Sequence, residues 1–253
     1  MEINKGFDPE YFKELATVED GNWWFRSRNT LIIWALARYF PQSKNFLEIG
    51  CGTGFVLLGI QQAFPDLVLS GGELFGEGIS HAEMRLPNVT LFQMDARKIP
   101  FEGEFDVIGA FDVLEHIEED EWVISQMFRA VKIGGGIIVT VPQHRFLWSS
   151  IDEYSFHKRR YTREELVEKV EGAGFKIIRI TSFVSFLLTL MLISRVKYRT
   201  SSRAFDPLAE FRIGHFLNGV FEKIMDMERS LITSGISFPV GGSLLVVARR
   251  GGE

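Results

Sequence analysis

The sequence predicts a doubly wound α/β fold: a mainly parallel, seven-stranded sheet with a helical N-terminal extension and a helical insertion before the last strand. Three observations predict it. Short apolar runs alternate with helical stretches from residue 45 onward, a rhythm that builds a parallel sheet covered on both faces. A glycine-rich turn, Gly50-Cys51-Gly52-Thr53-Gly54, leaves the first run and enters a helix. Acidic residues, Glu73 and Asp95, close the second and third runs. A chain of 253 residues is long enough to bury the core of one such domain.

The elements follow in order. Residues 8–40 read as helical, starting where Asp8 caps and Pro9 enters the first turn. A second helix covers 30–39 and stops before Pro41. Strands are expected at 45–49, 67–70, 89–94, 105–111, 137–141, 176–180 and 243–248. Helices are expected at 55–63, 76–85 and 120–131. Gly134-Gly135-Gly136 turns into the fifth strand, and Pro142 ends it. Thr162, with Glu165 three residues on, forms a capping box for a helix over 163–172. The segment 184–240 breaks the rhythm and carries a helical pattern at 216–231. The chain is thus read as one domain: a cap over 1–40, a core over 41–183, an insertion or lid over 184–240, and the last strand and tail over 241–253.

Composition limits the function. Net charge is −5, so no overall electrostatic footprint for nucleic acid exists. One cysteine permits neither an intrachain disulfide nor a cysteine metal cage, which fits a reducing cytosol. The start of the chain, Met1-Glu2-Ile3-Asn4-Lys5, has no apolar run behind it, so no signal peptide is expected. The longest apolar stretch, 183–193, is about half of the roughly 20 residues that span a bilayer. The reading is therefore a cytoplasmic protein. Arg195, Lys197, Arg199 and Arg203 follow that stretch. Apolar then cationic, the insertion suits a core helix with a solvated tail, a lid over a greasy acceptor, or peripheral contact with anionic lipid.

The glycine turn points to a ligand. Glycine lets a ligand approach the backbone, and open α/β sheets bind ligands beyond the carboxyl ends of their strands. A dinucleotide fingerprint needs a sixth-position glycine, where this chain has Phe55. No Lys-Ser/Thr pair completes a phosphate loop. Glu48, just upstream, would repel a pyrophosphate. These facts favour a nucleoside without phosphates. Glu73 would accept from ribose hydroxyls, Asp95 from the adenine amine, and Ala96 would offer the ring a backbone donor.

With those residues in place, the chain resembles the class I S-adenosylmethionine-dependent methyltransferases over about residues 40–180 and the final strand. The pattern E-x-G-x-G-x-G is met by Glu48, Gly50, Gly52 and Gly54, joined by Glu73, Asp95 and the string Phe111-Asp112-Val113-Leu114-Glu115-His116-Ile117. The resemblance implies S-adenosyl-L-methionine as cofactor. It implies that Cys51 and Thr53 in the glycine turn pack on the methionine part. Glu73 and Leu74 would sit at the ribose, Asp95 and Ala96 at adenine, and Phe111, Asp112 and Val113 near the transferred methyl. It also implies an antiparallel last strand. A closer similarity is to the ubiquinone-biosynthesis type of O-methyltransferase and to small methyltransferases linked with glycan or lipid assembly. It rests on residues 112–116, on His157-x-Arg159-Arg160-Tyr161-Thr162-x-x-Glu165-Leu166 and on Trp23-Trp24-Phe25-x-x-Arg28.

The expected chemistry is methyl transfer to a small-molecule, lipid-linked or sugar-linked acceptor, with oxygen favoured. Candidate bases are His144, just past the fifth strand, and His116, with His157 and His81 behind them. Trp24, Arg28, His157, Arg159, Arg160 and Tyr161 are candidate acceptor contacts; Arg159 and Arg160 would fork onto a carboxylate or phosphate, or pair with Asp152 and Glu153. In part of the resembling group a cluster placed like Asp112, Glu115 and His116 is linked with a divalent metal. The expectation here is no metal, with Glu115 and His116 capping the helix after the fourth strand. An NAD-dependent oxidoreductase or epimerase, or a non-catalytic cofactor-binding module, are the alternative readings.

Overall fold

A computed structural model describes residues 11–199 and 213–252, with residues 196–199 described by their backbone only. Two helices come first, α1 (Tyr11–Val18) and α2 (Trp23–Tyr39). The alternating core follows: β1 (Asn45–Ile49), α3 (Phe55–Ala63), β2 (Val68–Glu73), α4 (Gly76–Arg85), β3 (Thr90–Gln93), β4 (Phe105–Phe111), α5 (Asp120–Ala130) and β5 (Val131–Pro142). A short α6 (Ser150–Tyr154) and α7 (Arg163–Gly172) lead to β6 (Phe175–Phe183). Then come α8 (Leu188–Arg199), α9 (His215–Thr233) and β7 (Ser243–Arg250). The helix start expected at Asp8 and Pro9 lies outside the described residues, as do Arg203 and the side chains of Lys197 and Arg199.

The seven strands form one sheet in the order β3-β2-β1-β4-β5-β7-β6. The pairs from β3 to β5 are parallel. β7 runs antiparallel to both β5 and β6, as expected. Strand order reverses at β1, so the loops after β1 and β4 face a common crevice.

Period-two alternation sorts the core into two layers. Leu47, Ile49, Ile108, Ala110, Val139 and Val246 face α5 and α7. Phe46, Val107, Ile138 and Leu245 face α2, α3 and α9. Both faces of the central strands are thus buried, which is why the sequence shows them as continuous apolar runs.

Several elements exceed their expected bounds. α2 starts seven residues before position 30, because the Asn22 side chain accepts from Trp24 N at 2.8 Å and caps it. β2 continues through Gly71 and Gly72 to Glu73; a Cβ on Gly71 would lie 2.8 Å from Leu57 Cδ1, so close packing of α3 explains the glycine. β5 starts at Val131, ahead of its three glycines, and pairs with β4 across a register shift. The apolar stretch 183–193 is split: Phe183 ends β6 and α8 begins at Leu188.

Candidate functional site

The carboxyl ends of β1 to β5 open onto one cleft of about 1360 Å³. Its floor is the turn after β1. Gly50 N and Cys51 N both donate to Gly72 O, at 2.7 and 3.1 Å, which ties the turn to the end of β2. Gly52 takes φ +52°, and a Cβ there would meet only the Phe12 ring, at 3.5 Å. Gly54 takes φ +78°, but a Cβ there would press on Leu86 Cδ1 at 3.0 Å and on Ala82 at 3.2 Å. The two glycines therefore serve different ends. Gly52 keeps the floor bare, while Gly54, which does not line the cleft, lets α4 pack against the turn.

Glu73 stands beside that floor. Its carboxylate accepts from Gly52 N and from Phe75 N, each at 3.0 Å. Burial pushes its pKa up, and the backbone donors at Phe75 and Gly52 pull it back. A carboxylate has about four lone-pair sites, so capacity for further hydroxyl donors remains. Leu74, Asp95 and Ala96 line the same wall. Asp95 caps the turn Ala96–Lys98 through Arg97 N at 2.9 Å and pairs with the Arg97 guanidinium, which holds its carboxyl below the usual range.

The opposite wall comes from β1 and β4. Glu48 is buried, its Oε2 has no hydrogen-bond partner, and burial raises its pKa well above normal against the pull of Arg28. Cys51 and Thr53 line the cleft too; burial pushes the Cys51 thiol up. Thr53 Oγ1 donates to Glu19 at 2.6 Å, and Arg85 joins the pair. Phe111, Asp112 and Val113 follow β4 along this wall. Asp112 holds φ +57°. Its Oδ2 pairs with Arg28 and accepts from Thr140 Oγ1 at 3.3 Å. The Arg28 guanidinium lies 4.5 Å from the Trp24 ring centroid.

The His157–Tyr161 segment divides its side chains. His157, Lys158 and Arg160 line the cleft, and Arg159 and Tyr161 do not. Arg159 pairs with Asp120 at 2.8 Å. The Tyr161 hydroxyl, buried, donates to Asp120 at 2.7 Å, and burial beside that carboxylate pushes its pKa up. Arg160 Nε donates to Asp152 at 2.7 Å. Arg159 and Tyr161, expected as acceptor contacts, thus both anchor the segment to α5.

His144, expected as a base, follows β5. It does not line the cleft. Its backbone takes φ +63°, and its ring stacks on Phe146 at 4.7 Å. Burial, then the nearby Arg160 charge, lowers its pKa. His116 does line the cleft, edge-on to His157 with ring centroids 4.7 Å apart. Glu115 is fully buried with no hydrogen-bond partner on either carboxylate oxygen. Burial, and then Asp112, raise its pKa well above normal. Among the described residues Glu115, His116 and His157 form the set of three acid and imidazole groups that all lie within 4.8 Å of one another. Asp112, engaged by Arg28, does not join them.

The sequence reading missed several walls. α1 contributes Tyr11 and Phe12, with Glu19 just after it; Leu187, just before α8, joins Met191 from α8 and Phe221 from α9. No local pattern marks them, since they reach the cleft through contacts distant in sequence. Asn218 Oδ1, for example, accepts from Trp23 N at 2.8 Å, 195 residues away. Asp152 had a signal in Ser149-x-x-Asp152, a capping box that the structure forms.

This architecture is shared. The family model of the methyltransferase domain matches residues 24–180. The chain is 28% identical over 168 residues to a probable S-adenosylmethionine-dependent methyltransferase of Mycolicibacterium smegmatis, covering 65% of this chain and 64% of that one. It is 25% identical over 198 residues to ajmaline N-methyltransferase of Rauvolfia serpentina, covering 73% and 65%. The match thus spans under two thirds of either relative. In fold it is similar to a chain in the complex of the Haloferax volcanii Trm112 methyltransferase activator with a methyltransferase, with TM-score 0.65, 16% identity and coverage of 96% and 97%. The family model's span, set on the sheet order and glycine turn described above, shows that this chain belongs to the methyltransferase domain family.

Proposed function

We propose that this chain is an S-adenosyl-L-methionine-dependent methyltransferase of a small-molecule, lipid-linked or sugar-linked acceptor, with oxygen the favoured atom. The observation that carries the reading is the joint between Glu73 and the glycine turn. A carboxylate bonded to Gly52 N at 3.0 Å stands beside a floor that a side chain would fill. The residues fit an adenosyl group: a bare peptide for close approach, Glu73 for sugar hydroxyls, and Asp95 with Ala96 for the base. Glu48 Oε2, buried without a partner, fits the amino group of the methionine part. When bound, the cofactor supplies an activated methyl on a sulfonium.

The chain's own task is then to hold the acceptor, orient it and exclude water. Trp24, Leu187, Met191 and Phe221 give the cleft an apolar wall, which supports an acceptor with an apolar part. Its volume also exceeds the roughly 300–1,000 Å³ of common ligand pockets, leaving space for an acceptor beside the cofactor. The whole is read as one domain, with 184–240 as its lid. No helix among the described residues is long and apolar enough to cross a membrane. A cytoplasmic protein with peripheral lipid contact fits the exposed Phe186, Ile193 and Phe216 on and beside α8 and α9; flotation with anionic liposomes supports that contact, and protein left at the bottom of the gradient rejects it.

Calorimetric titration with S-adenosylhomocysteine tests the cofactor reading. Saturable binding in the micromolar range, lost in Gly52→Arg, is expected. No heat and no thermal shift in the unaltered protein would reject it.

A further inference from the structure

Asp152 is fully buried, and each of its oxygens is claimed. Oδ2 accepts from Ser149 N at 2.8 Å and Ser149 Oγ at 3.1 Å. Oδ1 accepts from Arg160 Nε at 2.7 Å and faces His157 Nδ1 at 2.9 Å. His157 and Arg160 together hold this carboxyl well below the usual range against its burial. An ionised carboxylate only accepts hydrogen bonds. The nitrogen facing it must therefore carry the hydrogen, so neutral His157 is the Nδ1–H tautomer. Nε2 is then an open acceptor.

His157 lines the cleft, and its position is fixed from several sides. His157 N donates to Asp152 O at 2.8 Å, and Lys158 N donates to Glu115 O at 2.7 Å. The Arg159 and Tyr161 bonds to Asp120 anchor the next residues. The charged and titratable groups around the ring are Asp152 from α6, Arg160 and Lys158 from its own segment, and Glu115 and His116 from the turn after β4. A cleft imidazole whose tautomer is set by a buried carboxylate is the arrangement that draws a proton from a hydroxyl.

We propose that His157, aligned by Asp152, is the proton acceptor for a hydroxyl-bearing methyl acceptor. This inference rests on the methyltransferase reading above. The acceptor O–H bond breaks and its proton passes to Nε2. The oxygen lone pair forms the bond to the methyl carbon, and the C–S bond breaks with its electron pair returning to sulfur. The positive charge of the sulfonium thereby ends on the imidazolium, next to the Asp152 carboxylate, and the proton leaves to solvent afterwards.

Nitrogen-15 NMR of the full chain, saturated with S-adenosylhomocysteine, tests it. The chain has five histidines, and His157→Gln assigns the ring. The neutral ring is expected as Nδ1–H, with the preference lost in Asp152→Asn. Phenol is expected to shift Nε2 of His157 alone, and anisole, which has no O–H, is expected to leave it unmoved. His157→Gln should keep S-adenosylhomocysteine affinity and weaken phenol about two- to twelvefold, the worth of one hydrogen bond. A neutral Nε2–H ring, no phenol shift, or equal shifts with anisole would overturn the proposal. Calorimetry without any S-adenosylhomocysteine binding would instead overturn the methyltransferase reading, whatever the tautomer.

Discussion

Replacing Gly52 by alanine separates the cost of a strained backbone from the cost of a blocked floor. The residue sits at φ +52°, where a side chain costs about 1–2 kcal/mol. The new methyl meets only Phe12 Cε1 at 3.5 Å, an ordinary contact that adds no clash. A chain of this size loses about 2–4 °C per kcal/mol, so the melting temperature should fall by about 2–8 °C. The methyl also projects into the cleft floor, and S-adenosylhomocysteine affinity should fall at least about tenfold, equivalent to about 1.4 kcal/mol. Gly54→Ala is the control. Its Cβ would lie 3.0 Å from Leu86 Cδ1, so it should lose at least as much stability while a ligand in the cleft is untouched. Thermal shift and calorimetry on both variants read the two effects. Wild-type affinity in Gly52→Ala, or a larger affinity loss in Gly54→Ala, would refute the reasoning.

Three further outcomes follow from the buried groups. Asp152→Asn leaves the buried Arg160 without its carboxylate and should cost about 3–5 kcal/mol at neutral pH by urea unfolding. Because the native carboxyl is depressed, its contribution is complete above the unfolded pKa of about 3.9 and fades as pH falls toward the native value, so the difference between the proteins should shrink only in strong acid. Glu115 has the opposite sign. Its native pKa is raised, so its ionisation weakens the fold as pH climbs past the unfolded value of about 4.3. Glu115→Gln should therefore melt higher than the parent at pH 8 but not at pH 4, and a pH-independent difference would contradict this. Tyr161→Phe removes one buried bond to Asp120, about 1 kcal/mol, and should lower the melting temperature by about 2–4 °C with S-adenosylhomocysteine affinity unchanged; a calorimetric loss of affinity would show that Tyr161 does reach the cleft.

The fold was largely legible because its signals are local. The runs at 46–49 and 107–111 show the double burial of central strands, and Thr162 with Glu165 marks a helix start that the structure forms with both reciprocal bonds. The glycine turn and Glu73 could be paired from sequence because sheet topology forces successive strand ends together. Side-chain direction outside regular elements could not be read in this way. Nothing in His-Lys-Arg-Arg-Tyr says that Asp120 would claim Arg159 and Tyr161 while Asp152 claims Arg160. Nor does proximity to a strand end fix the orientation of His144, which follows from a positive φ and stacking on Phe146. The apolar wall from α8 and α9 was also hidden, since it depends on contacts such as Arg26 with Glu222 at 2.7 Å, 196 residues apart.

A co-crystal structure with S-adenosylhomocysteine measures the central claim directly. The account predicts the ribose within hydrogen-bond distance of the Glu73 carboxylate, with the ligand lying across Gly52. A ligand bound elsewhere in the cleft, with Glu73 touching only Gly52 N and Phe75 N, would contradict it.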